Sequence, residues 1–238
     1  MKRRWKRLVR YVLKRVLDWR FRNFRPGARP AHEVRVAGLR LRVLTGVFDP
    51  RLHFTSAFLA TYLRRPGVVP PGGRVLDLGT GTGIMAITAG LAGAGLVVAT
   101  DINPAAVRCA TGNVLRYGLQ HRVMVRAGDL FAPVAGERFD LIVTNPPYYR
   151  GEPRTMIERA YMAGSAHEWL ARFASGLHKH LTPHGQALVV LGDSADISAI
   201  LALLEAAGLQ VMLVAHRDIL VEALYIYALV PTQTAPRV

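Results

Sequence analysis

From Arg74 onward the sequence repeats one pattern: a short apolar run, a turn, then a segment of helix length. Strands are predicted at residues 74–78, 96–100, 122–126, 139–143, 186–191, 210–214 and 224–229, and helical patterning lies between most of them, at 83–92, 104–117, 165–180 and 195–207. Strands that alternate with helices of this length form βαβ units around a largely parallel sheet. No helix separates the last two runs, so the final strand is expected to run antiparallel. Ahead of this region, "VRVAGLRLRVL" (34–44) alternates apolar and basic residues around Ala37-Gly38, which predicts a β-hairpin. A Pro-bearing loop follows and becomes a helix from about Thr55. The expected fold class is α/β, Rossmann-like, with seven strands and an antiparallel last one.

The 238-residue chain carries a formal charge of +15, and that charge is concentrated at one end. Residues 1–42 hold 15 Lys or Arg against Asp18 and Glu33, whereas the remaining 196 residues hold 16 basic and 14 acidic side chains. Residues 2–24 set Trp5, Leu8, Val9, Val12, Leu13, Val16 and Leu17 at helical spacing among arginines and lysines, and Pro26-Gly27 follows. This predicts a basic amphipathic N-terminal helix and linker (1–31) ahead of a domain at 32–238. Three roles suit such a helix: packing on its own domain, contact with RNA or the ribosome, or lying on an anionic membrane surface. No apolar stretch approaches the ~20 residues that cross a bilayer, and arginines interrupt any secretory signal. With one cysteine, Cys109, there is neither a disulfide framework nor a cysteine zinc site, and a cytoplasmic setting is expected, peripheral to membrane or ribosome if the helix docks there.

The first sheet strand runs into "VLDLGTGTGIMAI" (75–87). Gly79, Gly81 and Gly83 lie in the strand-to-helix turn, where missing side chains let a ligand approach the backbone, and Thr80 sits between them. A nicotinamide fingerprint would need glycine three positions after Gly81, where this chain has Ile84. Here Asp77 precedes the glycines, placed to meet a cationic amino group. Asp101 ends the second strand, followed by Ile102, and can accept hydrogen bonds from both hydroxyls of a ribose. Asp129 and Leu130 end the third, with the carboxylate placed for an adenine amino group. A ligand with an amino acid end, a ribose and an adenine but no phosphate is S-adenosylmethionine.

These residues carry a resemblance. From Arg74 to Val230 the chain resembles a class I S-adenosylmethionine-dependent methyltransferase. Asp77 to Gly83 resemble the cofactor motif, Asp101 and Asp129 the next two, and Asn145-Pro146-Pro147-Tyr148 the signature of amino-methylating members. The resemblance implies an N-methyltransferase. "GVFDPRLHFTSAFLATYL" and "VEALYIYALV" resemble segments of HemK-type (PrmC-type) enzymes, which implies methylation of a glutamine side chain on a protein such as a release factor. The alternatives are methylation of an exocyclic amino group of adenine or guanine, or of a small molecule, and a noncatalytic RNA- or membrane-binding module.

The diproline gives the tetrapeptide its chemistry. Two prolines hold the backbone stiff and extended after an apolar strand. An amide or aromatic amino nitrogen is a poor nucleophile because its lone pair is delocalised. The Asn145 side-chain oxygen and the Pro146 carbonyl can each hold one N–H, which favours a pyramidal nitrogen aimed at the methyl group. The Tyr148 ring offers a face to a planar substrate group. No metal site is expected: His178, His180 and His184 cluster at a helix end, where cationic groups are ordinary. Cys109 is expected to pack in the core.

Overall fold

The computed structural model describes residues 29–52 and 54–232, so the basic helix expected within residues 1–31 lies outside the described residues, apart from Arg29, Pro30 and Ala31. A hairpin, β1 (His32–Val36) and β2 (Leu39–Val43), precedes α1 (Phe54–Leu63). There follow β3 (Arg74–Leu78), α2 (Ile84–Leu91), β4 (Leu96–Asp101), α3 (Pro104–Arg116), β5 (Val123–Ala127) and β6 (Phe139–Thr144). The chain then forms α4 (Glu168–His180), β7 (Leu181–Gly192), α5 (Ile197–Ala206), β8 (Leu209–Asp218) and β9 (Ala223–Pro231). Ala37 and Gly38, at φ 47 and 77, make the hairpin turn with both residues in the left-handed region, as a two-residue loop of this twist requires.

The seven main strands are ordered β5-β4-β3-β6-β7-β9-β8, parallel except for β9, which runs antiparallel to both neighbours. The last strand is thus inserted between β7 and β8. The central strands are buried on both sides because their residues alternate between two apolar layers, whereas edge strand β8 is largely exposed. Val75, Val97, Leu141, Val143 and Val190 face the layer formed with the hairpin, α1, α2 and α3. Leu76, Leu78, Val98, Ile142 and Val189 face the layer formed with α4 and α5. Each fully buried aliphatic side chain of this kind contributes about 1.5–3 kcal/mol of burial free energy.

Three boundaries differ from the sequence pattern by three residues or more, among them the end of β8, which lies at Asp218 and not at 214. Strand β7 begins at Leu181, not at residue 186, because α4 runs directly into it. A register shift opposite Phe139/Leu141 absorbs the Pro183-bearing stretch that reads as a turn. Helix α4 begins at Glu168, not at 165, since His167 stands in the left-handed region at φ 60 and cannot continue the helix backward.

The chain order reverses between β3 and β6. From β3 it winds outward through β4 to β5, then returns to β6 on the other side. The carboxyl ends of β3, β4, β5 and β6 therefore open on one edge, with β3 and β6 flanking the crevice where α/β sheets hold their ligands. Asn113 braces this edge from below. It is fully buried, accepts from the Arg42 amide at 2.8 Å, and donates to the carbonyls of Arg42 (2.8 Å) and Thr82 (2.9 Å). The hairpin, α3 and the glycine turn are joined through that one side chain.

Candidate active site

A cleft of about 120 Å³ opens at this crevice. It is lined by Asp77, Gly79, Thr80 and Gly81 after β3, Asp101 and Ile102 after β4, Asp129 and Leu130 after β5, and Asn145 and Pro147 after β6. The structure therefore brings together almost every residue expected from the sequence. Gly83 is the exception among the glycines. A Cβ there would meet Ala110 at 3.2 Å, so this glycine serves the packing of α2 on α3. At Gly79 and Gly81 (φ 77 and 55) an added Cβ would meet no protein atom within 4 Å. Their requirement is the left-handed backbone, which turns the chain so that main-chain groups border the cleft.

Asp77 is 1% exposed, and one oxygen accepts from the Thr80 hydroxyl (2.6 Å) and the Ala86 amide (3.0 Å). Burial dominates over those hydrogen bonds and pushes its pKa from 3.8 to about 7. An adjacent ammonium group would relieve that penalty. Asp101 accepts from the Gly81 amide through one oxygen (2.9 Å) and from the Asn103 amide through the other (2.8 Å). Burial raises its pKa as well. These two bonds fix the plane of the carboxylate, and each oxygen keeps a second acceptor direction, the arrangement a vicinal diol needs. Asp129 is held by Arg172 of α4 at 2.7 Å, a partner that sequence spacing does not indicate. Leu130 has φ 47, unusual for a bulky residue and located at the cleft wall.

The Asn145 amide has a defined orientation. Its nitrogen donates to Ser56 Oγ of α1 at 3.0 Å, while its Oδ1 is buried without a partner. Ser56 thereby fixes the amide, and Asn145 lines both the cleft and a side recess of about 20 Å³, which Phe48, Thr55, Pro146, Tyr148, Tyr149 and Tyr161 also line. Tyr148 is only 5% exposed, and it forms part of the wall of that recess. Burial pushes its phenol pKa well above the usual value, with Tyr149 and Glu222 adding to the effect.

Several lining residues lie outside the cofactor motifs and the Asn145–Tyr148 tetrapeptide. Phe48 and Pro50 come from the loop before α1, which is pinned by Asp49: His32 Nε2 lies 3.0 Å from its carboxylate and Arg51 2.7 Å. Met156 and Arg159 come from the segment after the tetrapeptide, and Trp169 from α4, where it stacks on Phe173. The histidines suggested by sequence clustering are separately engaged, His178 with the Ala207 carbonyl and His180 with that of Glu137. Among the described residues, no group of three or more His, Cys, Asp or Glu side chains could hold a metal ion. Cys109 is buried and its thiol donates to the Arg42 carbonyl at 3.1 Å.

Residues 38–216 match the family described as methyltransferase small domain, about three-quarters of the chain. The chain belongs to that family. This methyltransferase small domain is 33% identical to the release factor glutamine methyltransferase of Bordetella pertussis, over 85% of this chain and 86% of the relative. It is 36% identical to the release factor glutamine methyltransferase of Cereibacter sphaeroides, over 72% of this chain but only 63% of that protein's length. Among solved structures, a ribosomal protein L11 methylase from Lactobacillus delbrueckii subsp. bulgaricus is similar with TM-score 0.57 and 25% identity, covering 76% of this chain and 80% of that one. No helix among the described residues is long and apolar enough to cross a membrane.

Proposed function

We propose that this methyltransferase small domain transfers a methyl group from S-adenosylmethionine to the side-chain nitrogen of a protein glutamine, with a release factor as the substrate class. The observation that carries the reading is the Asn145 amide: Ser56 fixes it with its oxygen buried and unpartnered at the junction of cleft and recess. A buried acceptor without a partner costs about 1–3 kcal/mol, so the fold tolerates it where a ligand supplies the donor. The names of the relatives from B. pertussis and C. sphaeroides support glutamine on a release factor as that donor.

The residues fit the cofactor in charge and order. Asp77 would take its ammonium group, Asp101 its ribose hydroxyls and Asp129 its adenine amino group, while Gly79 and Gly81 keep the backbone close. Bound there, the cofactor supplies a methyl group already activated by its positive sulfur. The protein's part is then placement. Asn145 Oδ1 and the Pro146 carbonyl accept the two N–H groups of the substrate nitrogen, and Tyr148 walls the recess so that the nitrogen enters in one orientation.

The test is transfer of labelled methyl from S-adenosylmethionine to purified release factor, with RNA, DNA and small-molecule pools in parallel. Label on a release-factor glutamine is expected. Label confined to nucleic acid would replace this reading with methylation of an exocyclic amino group. The positive segment at residues 1–25, with 11 basic residues against Asp18, suits a polyanion that brings enzyme and substrate together, such as ribosomal RNA.

A further inference from the structure

Thr55 is the second residue around Asn145 whose polar atom has no partner. It is 1% exposed, and its Oγ1 makes no hydrogen bond. The other helical threonines show what such a hydroxyl normally does. Thr61 donates to Ala57, Thr88 to Ile84 and Thr111 to Val107, each bonding the carbonyl four residues back at 2.7–2.8 Å. Thr55 lies in the first turn of α1, so the residue four positions earlier, Arg51, is outside the helix. Thr55 instead lines the same recess as Asn145. Thr55 and Asn145, each with one buried polar atom that has no partner, thus line one recess of about 20 Å³.

We infer that Thr55 is a substrate-contacting residue, donating its hydroxyl to the carbonyl oxygen of the primary amide whose nitrogen Asn145 receives. The inference rests on the proposed glutamine reading and extends it. A primary amide carries a donor and an acceptor on adjacent atoms and completes both orphaned groups together. A nucleobase edge presents a similar pair but brings a ring with it. A recess little larger than one water molecule, walled by Phe48, Tyr148 and Tyr161, favours the small amide head. Ser56 and Thr55, neighbours on one helix turn, then divide the work: Ser56 orients Asn145, and Thr55 reads the substrate oxygen.

The experiment compares full-length wild type, Thr55→Val and Thr55→Ser on purified release factor, with N-methylglutamine read by mass spectrometry. Calorimetric affinity for S-adenosylmethionine and the melting temperature are measured in parallel. Valine keeps the shape and removes the donor, so kcat/KM should fall roughly ten- to hundred-fold, while Thr55→Ser stays within about threefold of wild type. Cofactor affinity should not change in either. Unchanged kcat/KM in Thr55→Val overturns the assignment. So does an equal loss in both variants, or a loss that tracks cofactor affinity or melting temperature, since each describes a packing residue. If wild type places no methyl on glutamine, the substrate reading has failed and the Thr55 assignment falls with it. That failure is distinguishable because it appears before any substitution is made.

Discussion

If Asp77 meets the cofactor's ammonium group as proposed, it ties cofactor binding to pH. Its carboxyl, pushed to about 7 by burial, is largely protonated in the free protein below that pH, whereas an ammonium partner stabilises the ionised form. Binding at lower pH must therefore expel a proton. Affinity for S-adenosylmethionine should fall by up to about tenfold for each unit below pH ~7, and Asp77→Asn should flatten the profile while weakening binding. Calorimetry between about pH 5.5 and 7 reads this, and a level profile in wild type would remove the ammonium from beside Asp77. Asp101 offers a second test at this scale. Asp101→Ala deletes the carboxylate that the Gly81 and Asn103 amides orient, and affinity should drop by about 1.5–3 kcal/mol if that group holds the ribose. An unchanged dissociation constant would mean the ribose lies elsewhere.

Elements position these residues, and one side chain connects three of them. Asn113→Ala would leave the Arg42 amide and the Thr82 carbonyl without their buried partner, loosening the hairpin from α3 and from the glycine turn. A loss of about 2–4 kcal/mol in denaturant unfolding is expected, together with weaker cofactor binding, because Thr82 belongs to the turn. A variant as stable as wild type would show that the hairpin is only appended. The elements were legible wherever local patterning and burial agree. The runs 74–78, 96–100 and 139–143 are short, apolar and punctuated, and each became a strand with its acid or Asn145 at the carboxyl end. Helix α4 and strand β7 were less legible at their junction, because Pro183 marks a turn locally whereas pairing with β6 draws the chain into the sheet. Thr55 and Ser56 lie in a segment that carries the family resemblance, but their placement beside Asn145 was not legible. They lie 90 and 89 positions from Asn145, and only the packing of α1 over the crevice brings them to it.

At the scale of the whole molecule, the charge and the cleft occupy different parts of the chain. Every lining residue falls between Phe48 and Trp169, whereas 11 basic residues fall within the first 25. Deleting residues 1–25 should leave cofactor affinity intact and remove most polyanion binding. In the intact protein, RNA affinity should fall with salt by roughly 0.7–0.9 log units per log unit for each phosphate contacted. An anionic membrane would leave a component that salt does not abolish, because the apolar stripe would also insert. If the truncated protein is insoluble, the stripe packs on the domain and the charge implies no partner. The central claim is that the cleft and recess together deliver an amide nitrogen to an activated methyl group, with Asn145 as the acceptor that aligns it. The most direct measurement is single-turnover methylation of release factor by Asn145→Ala, alongside calorimetry with S-adenosylmethionine. Turnover should fall by roughly two to four orders of magnitude with cofactor affinity nearly unchanged, because the lost acceptor acts in the transition state. Near-normal turnover, or a fall explained wholly by lost cofactor binding, would contradict it.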